Sequence, residues 1–315
     1  MTRGTVSYIG QRLILIAVTT VLVSSIVFLL LHQIPGSAFI NETRQTPESL
    51  AANLHHYGLD LPLYQQYTNW FTGVLLHGDL GESLKNRGVL ITPLLLREAS
   101  VSATVGFYAL LVTIGLGLIL GIIAALRQNT WVDYVASSAS VVGYSIPSFV
   151  LAIFGLLLAG HYFYIWTGGT FYYIPGWGKL EQVPVPALAL GLPYASYVAR
   201  LTRASMLETI RTDYVRTAWA KGLKARVVVL RHALRNALIP VVTILGPLIT
   251  GIITGSVVIE NIFGIPGLGK EFVTSILARD YNIVIGVFTF YAALVGLANL
   301  LVDVIYPVLD PRIRY

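Results

Sequence analysis

Six long stretches of this 315-residue chain contain no Asp, Glu, Lys or Arg, and they constrain the fold more than any other feature. Each has about the length that an α-helix needs to cross a hydrocarbon core of roughly 30 Å. Hydrophobic residues make up 55% of the chain and charged residues only 11%, which is too little polar surface for one water-soluble globule. The weakly alternating strands of a membrane barrel would produce a different pattern. The sequence therefore predicts an all-α integral membrane protein.

We expect six transmembrane helices in a single permease-like domain spanning residues 1–315. Their approximate positions are 9–31, 99–126, 134–163, 182–199, 236–259 and 281–305. The first apolar run is interpreted as an uncleaved span and not as a signal peptide. It is longer than the roughly 7–15 residues of a signal-peptide core, and Gly36-Ser37-Ala38 is a poor cleavage site.

Positive charge is concentrated between the fourth and fifth stretches. Residues 200–235 carry nine Lys and Arg against Glu208 and Asp213, a net charge of +7, whereas the whole chain carries +6. Cytoplasmic loops of membrane proteins are enriched in Lys and Arg. The sequence therefore predicts that this loop and both termini are cytoplasmic. Because the basic balance follows the sidedness of the loops, we expect contact with membrane lipid and no nucleic-acid partner.

Residues 32–98 form a predicted external segment with two short helices. Thr46-Pro47-Glu48 supplies an N-cap, a first-turn proline and an acidic first turn, and Gly58 can end that helix. A second helix starts at Asp60-Leu61-Pro62 and is broken at Gly78. Its apolar face comprises Tyr67, Trp70, Phe71 and Val74. We interpret the pair as a small cap on the outer mouth of the protein; a helical hairpin lying at the lipid interface is the alternative.

Motifs for catalysis and nucleotide binding are incomplete. Gly264 to Glu271 nearly spells a Walker A loop, but Glu271 replaces the hydroxyl residue that would hold magnesium, and no strand precedes the loop. None of the six His residues forms H-E-x-x-H, and cysteine is absent. We therefore expect no catalytic residue, no metal and no cofactor in this chain.

Two polar positions inside the predicted spans have an alternative functional interpretation. Ser145 would be the nucleophile of an intramembrane hydrolase, but no His lies near it in the sequence, and we expect its hydroxyl to bond the carbonyl freed by Pro147. Asp303 is the clear ionisable residue within a span, with Asn299 one turn earlier on the same face. Its position near the cytoplasmic end favours a structural carboxylate. A proton-coupled secondary transporter, the alternative function, would be expected to bury more charge.

The centre of the basic loop is predicted to be two short helices joined at Gly222. A rigid helical segment of this kind can transmit the movement of a cytoplasmic partner, whereas a flexible loop would absorb it. The candidate coupling residues are Arg216, Thr217, Ala218, Trp219, Lys221, Gly222 and Leu223. The alternative is an amphipathic helix on anionic lipid, with its apolar face turned toward the membrane. That face comprises Trp219, Leu223, Val227 and Leu230.

Several motifs together resemble the inner-membrane permease subunits of ABC importers for dipeptides, oligopeptides and nickel. The resemblance covers nearly the whole chain. Its motifs are Gly58–Leu63, Gly78–Ser83, Ser145–Phe149, Tyr214–Leu223, His232–Pro240, Glu260–Gly269 and Leu309–Tyr315.

The resemblance implies a six-span, type I ABC-importer-like permease in the cell inner membrane. It implies half of a translocation pathway for peptides that works by alternating access. The implied partners are a homologous second permease, two cytoplasmic ATP-binding subunits and an extracytoplasmic solute-binding protein. In such permeases the basic block is the "EAA" loop, with the pattern E-A-A-x-x-x-G, of which only Ala218 and Gly222 match here. Arg216 and Thr217 stand where Glu and Ala would, so only the docking helix itself is carried over by the resemblance.

Overall fold

The computed structural model describes residues 3–34, 46–170, 172–253 and 257–309, and these residues are overwhelmingly helical. The first seven helices are α1 (Arg3–Gln33), α2 (Pro47–His56), α3 (Leu63–His77), α4 (Ile91–Leu126), α5 (Trp131–Ser145), α6 (Ser148–Leu157) and α7 (Phe163–Trp166). The following ones are α8 (Pro184–Ile210), α9 (Asp213–Ala220), α10 (Ala225–Val227), α11 (Leu234–Ile253), α12 (Val257–Phe263), α13 (Leu268–Ala278) and α14 (Tyr281–Leu309). Single π-helical turns at Leu158–Tyr162 and Val228–Ala233 join α6 to α7 and α10 to α11.

The chain divides into two compact bodies. The first comprises Met1–Val101 and Pro266–Leu297. The second comprises Ser102–Ile265 and Ala298–Tyr315. The candidate coupling residues all belong to the second body.

Five helical stretches in the described part of the chain are long and apolar enough to cross a membrane. They are Ser7–Gln33, Ile91–Leu126, Ser148–Trp166, Ala225–Ile252 and Tyr281–Val304. Each overlaps one of the six predicted spans. The predicted span at 182–199 lies in α8, which is 27 residues or about 40 Å long but is not among these five stretches. Many small and polar residues lower its hydropathy, and twelve of its residues are buried.

The predicted third span, over 134–163, is divided between two helices in the structure. The structure ends α5 at Ser145, leaves Ile146 in an extended conformation and starts a new helix after Pro147. Proline lacks the amide hydrogen that would continue the ladder, and it disfavours the helical conformation of the residue before it. The Ser145 hydroxyl donates to the carbonyl of Val141 at 2.8 Å, and not to that of Gly143, which Pro147 frees.

Three helical stretches extend past the ends of the predicted spans. Helix α4 begins at Ile91, within the predicted external segment. Helix α8 continues eleven residues past 199, and the helical stretch that leads into α11 already begins at Ala225, so both extend into the basic segment 200–235. Arg200 and Arg235, which bound two of the predicted spans, are exposed, and a helix can continue past an exposed charged residue. The predicted fifth span, 236–259, includes residues 254–256, which lie outside the described residues.

The short helices α2 and α3 begin and end where the sequence predicts. The Thr46 hydroxyl accepts the Ser49 amide at 3.2 Å, and Gly58 and Gly78 take positive φ angles of 65° and 63° just after α2 and α3. Trp70 and Val74 of α3 pack against the buried cluster of Leu80, Ile91, Leu95, Leu268, Ile283 and Val287. The opposite side of α3 exposes Leu75 and Leu76.

One buried carboxylate organises the loop before α4. Asp280, which is only 1% exposed, accepts the Ser83 hydroxyl at 2.5 Å and the Leu84 amide at 3.1 Å. The same side chain accepts the Ile283 amide at 3.3 Å and so caps the start of α14. A single side chain therefore joins two segments that are about 200 residues apart in the sequence.

Glycines bring α4 and α8 into close contact in the second body. A Cβ at Gly121 would lie 2.5 Å from the carbonyl oxygen of Ala199 and 2.6 Å from the Cβ of Thr202. One turn earlier, Gly117 faces Val198 in the same way. Small residues let membrane helices approach this closely. The two helices therefore form a tight pair, and the end of α8 leads to the candidate coupling residues.

Candidate coupling surface

The predicted break at Gly222 is confirmed, and the predicted short first helix is α9, whereas the second helix is the beginning of a long helical stretch that starts at Ala225. Helix α9 ends at Ala220, and Gly222 has a φ of 75°, in the left-handed region where a side chain is disfavoured. The Gly222 amide donates to the Trp219 carbonyl at 2.9 Å, and the Leu223 amide donates to that of Ala218. Glycine in this conformation ends helices because it satisfies the last carbonyls without a Cβ clash.

One face of α9 is packed into the protein. Val215 is fully buried and Ala218 is 4% exposed. They belong to a cluster that also contains Ala125, Met206, Val228, Ala233 and Ala237. Those residues lie on α4, α8, the π-helical turn and α11, so α9 is packed against several long helices at once. Ala218 therefore has no surface with which to contact a partner; its small side chain lets α9 pack closely.

The remaining candidate coupling residues lie on the exposed side. Arg216, Thr217, Lys221 and Gly222 are exposed, as are Trp219 at 46% and Leu223 at 37%. Val227 and Leu230 are exposed as well. A single surface thus combines apolar side chains with cations, as both the docking and the lipid interpretations require. We call Arg216, Thr217, Trp219, Lys221 and Leu223 the coupling surface.

The charge of this region remains available to a partner. Eight of the nine cations between residues 200 and 235 are exposed, and Arg203 is half-buried. The Arg216 guanidinium lies 3.6 Å from the carboxylate of Asp213, which is almost fully exposed. An ion pair in water at this distance neutralises little of the field. The exposed cations therefore favour an anionic contact, which either an acidic protein surface or anionic lipid would supply.

A hydrogen bond also joins α9 to the start of α11. The Asn236 amide nitrogen donates to the Tyr214 hydroxyl at 2.7 Å. Together with the buried cluster, this contact holds α9 to the helix that leads into the predicted fifth span. A force applied at α9 would therefore reach α11 without an intervening flexible segment.

Sequence reasoning missed a buried ion pair close to this surface. The Arg203 guanidinium donates two hydrogen bonds to the Asp133 carboxylate, at 2.6 and 2.8 Å. Asp133 is 2% exposed, and it also accepts the Asn129 amide at 3.0 Å and the Ser137 hydroxyl at 3.2 Å. The Arg203 hydrogen bonds, offset in part by burial, lower the pKa of Asp133 to about 2. The pair fixes the first turn of α5 to α8. The one signal in the sequence was a lone acid at the start of an otherwise uncharged stretch.

The polar residues predicted near the end of the last span have different surroundings. The Asn299 carbonyl oxygen accepts the Thr250 hydroxyl at 3.0 Å, which joins α14 to α11. Asp303 is half-buried one turn further along α14. The segment that resembles a Walker loop instead forms a turn at Gly264, with a φ of 68°, and the beginning of α13.

Comparisons with known proteins cover almost the whole chain. Residues 117–315 match the family described as "binding-protein-dependent transport system inner membrane component", and residues 5–90 match the N-terminal model of such membrane components. The chain is 41% identical to the dipeptide transport system permease protein DppB of Bacillus subtilis over 308 residues, 98% of this chain and 97% of the relative. It is 40% identical to the oligopeptide transport system permease protein OppB of Escherichia coli K12 over 299 residues, 94% of this chain and 95% of the relative.

Among solved structures, the chain is similar to one of the MetNI methionine ABC transporter in an inward-facing conformation. The TM-score is 0.56, and the match covers 69% of this chain and 96% of the other chain. At 19% identity, this likeness establishes a shared fold and nothing about the cargo.

Proposed function

The chain belongs to the family of binding-protein-dependent transport system inner membrane components, and from that premise we propose that it carries peptides as one half of an ATP-driven import pathway. It is a multi-pass membrane component of an importer, and its relatives are permeases and not enzymes. The names of the relatives, which specify dipeptides and oligopeptides, support di- or oligopeptides as the cargo. The second half of the pathway is a homologous permease, and an extracytoplasmic solute-binding protein delivers the cargo.

ATP binding and hydrolysis occur in two separate cytoplasmic subunits under this proposal, and the chain itself needs no cofactor. The incomplete Walker motif supports this division, because the position of the magnesium-holding hydroxyl is taken by Glu271. The coupling surface docks on the ATP-binding subunits. Trp219 and Leu223 enter an apolar groove, and the cations around them meet acidic residues on the rim.

The observation that carries the proposal is the packing of α9. Its buried face, Val215 and Ala218, is joined to the ends of α4, α8 and α11, while its other face is exposed. Protein interiors transmit displacement because they are close-packed and hardly compressible. When the ATP-binding subunits close, a push on α9 would move those long helices and switch the side of the membrane to which the pathway is open.

The remaining architecture follows from the same proposal. Helix α8 contains the predicted fourth span and brings the number of spans to six, and it is enclosed by protein to a greater extent than the others. Both termini and the basic loop face the cytoplasm. The helices α2 and α3 form a small cap at the outer mouth. The 14 cations assigned to the inner loops and termini, against 7 in the outer loops, support this orientation.

Replacing Trp219 with alanine tests the docking role. A large aromatic anchor in a desolvated pocket typically contributes at least about 2 kcal/mol, so we expect affinity for the ATP-binding subunits to fall by about 30-fold. The measurements are co-purification of those subunits in mild detergent and peptide-stimulated ATP hydrolysis. Trp131→Ala is a matched control, because Trp131 is 75% exposed at the start of α5 and outside the coupling surface. Full co-purification and full ATPase stimulation with the Trp219 variant would refute the docking role.

A further inference from the structure

A cation–aromatic cluster lies at the end of α5, on the α8 side. The guanidinium carbon of Arg200 is 5.2 Å from the ring centre of Tyr144 and 5.8 Å from that of Tyr197. The two tyrosine rings are themselves 5.8 Å apart. Tyr144 precedes the break at Pro147 by three residues, so the cluster stands beside a discontinuous helix. Stacking on two rings holds the planar guanidinium in one orientation.

Arg200 has no acidic partner within the part of the chain that the structure describes. Among the described residues, no carboxylate lies within ion-pair distance of Arg200, and its side chain is exposed. Arg203, almost one turn further along α8, makes the bidentate pair with Asp133. Two arginines on neighbouring turns of one helix therefore differ: Arg203 is paired with Asp133, whereas the exposed Arg200 is stacked on aromatic rings.

Two cavities are each lined by one member of the cluster. Tyr144 lines a cavity of about 420 Å³ together with Pro147, Ser148 and Tyr194. Arg200 lines a second cavity, of about 200 Å³, in which Ser137 contributes a hydroxyl. Small-molecule sites typically have volumes of about 300–1,000 Å³, and the volume of the larger cavity falls within that range. Broken helices that line a cavity are also where membrane transporters commonly hold their cargo.

We propose that Arg200, with Tyr144 and Tyr197, is a recognition site for the carboxylate of the peptide cargo, with the peptide chain lying in the cavity beside Ser148 and Tyr194. The proposal deepens the transport function above and rests on it. A guanidinium fork pairs with a carboxylate through two parallel hydrogen bonds, a geometry that an amide group cannot reproduce. Charge complementarity therefore selects an anionic group, and the adjoining volume selects a ligand with a chain attached to that group.

A single-cysteine labelling experiment tests the site directly. The chain contains no cysteine, so Ser148→Cys places one thiol in the larger cavity without further changes to this subunit. The complex is purified with its partner subunits and labelled with a maleimide in the absence of nucleotide, with trialanine or trialanine amide as the probe. We expect trialanine to slow labelling, and the amide to need about a tenfold higher concentration for the same protection because it lacks a charge-assisted hydrogen bond.

Arg200→Gln, combined with the cysteine variant, assigns the effect to this side chain. The concentration of trialanine that gives half-protection should rise about tenfold, while that of the amide should not change. Arg211→Gln is the matched control. It removes the same charge from another exposed cation just after α8, and it should leave protection by both probes as in the parent.

Three results would overturn the inference. Equal protection by trialanine in the single-cysteine parent and in its Arg200→Gln variant would exclude a cargo contact. Loss of the second permease from the complex on Arg200→Gln would mean that Arg200 pairs with a carboxylate of that subunit. In the third result, the parent complex in nanodiscs needs phosphatidylglycerol for ATPase activity, and the Arg200→Gln variant no longer needs it but is still protected by trialanine. This result would assign Arg200 to a lipid headgroup. A parent complex that peptides neither protect nor stimulate would overturn the proposed peptide transport as well, which distinguishes the two failures.

Discussion

Replacing Asp133 with asparagine should destabilise the second body to an extent that the structure allows us to work out. The hydrogen bonds from Arg203 lower the pKa of Asp133 from 3.8 to about 2, which corresponds to about 2 kcal/mol of stability at neutral pH. Breaking a fully buried ion pair costs about 3–5 kcal/mol, but Arg203 is 30% exposed and can regain water. We therefore expect a loss of about 2–3 kcal/mol, or roughly 5 °C in the apparent Tm.

The measurement is thermal unfolding of the purified complex in detergent, followed by tryptophan fluorescence. Ser137→Ala is the matched control, because Ser137 donates one neutral hydrogen bond to the same carboxylate, at 3.2 Å, and its loss should cost about 1 kcal/mol or less. Asp133→Asn combined with Arg203→Gln should cost less than the sum of the single changes. An Asp133→Asn variant that melts within about 1 °C of the parent would refute the reasoning.

The same pair has a defined pH dependence. Because the folded-state pKa is lowered, the stabilisation is fully present above the ordinary value of 3.8 and is lost as the pH falls through about 2. The difference in Tm between the parent and Asp133→Asn should therefore shrink as the pH falls below about 4. A difference that stays constant over that interval would show that the carboxylate charge is not the cause.

Other perturbations give equally definite outcomes. Gly121→Ala should destabilise the protein by about 1–3 kcal/mol, because its Cβ would lie 2.5 Å from the Ala199 carbonyl oxygen. The control Gly115→Ala lies on the same helix, where the added Cβ meets no atom within 4 Å, and it should be neutral. The Tm of each variant is measured against that of the parent. Gly222→Ala should cost about 1 kcal/mol, since no atom crowds the site and only its φ of 75° disfavours a side chain, and peptide-stimulated ATPase activity should fall with it. Asp280→Asn removes one acceptor oxygen from the anchor of the loop before α4, so limited proteolysis should cleave that loop faster than in the parent.

Local signals in the sequence predicted the short helices well. Thr46 caps α2, Gly58 and Gly78 lie just after α2 and α3, and Gly222 separates α9 from α10 in the left-handed conformation that glycine favours. Each of these features depends on one or two neighbouring residues and on backbone sterics. They can therefore be identified without knowledge of the rest of the fold.

Features that depend on partners far along the chain were not predicted. Asp133 and Arg203 are 70 residues apart, and nothing in either neighbourhood indicates the other. Ala218 matched a family pattern at the coupling site, yet its burial among residues of α4, α8 and α11 gives it a packing role. Helix α8 extends to Ile210, beyond the predicted span end at 199, because a charged residue ends an apolar run but does not end a helix.

The sequence by itself determined that this chain is a bundle of membrane helices with one strongly basic loop, because composition and the spacing of charges decide which segments can enter lipid. Only the tertiary structure decided which face of that loop is packed inside and which is exposed. It also decided which of two neighbouring arginines has a carboxylate partner and which presents its charge outward. Those properties depend on distances between segments remote in sequence, and such distances are fixed only when the helices pack.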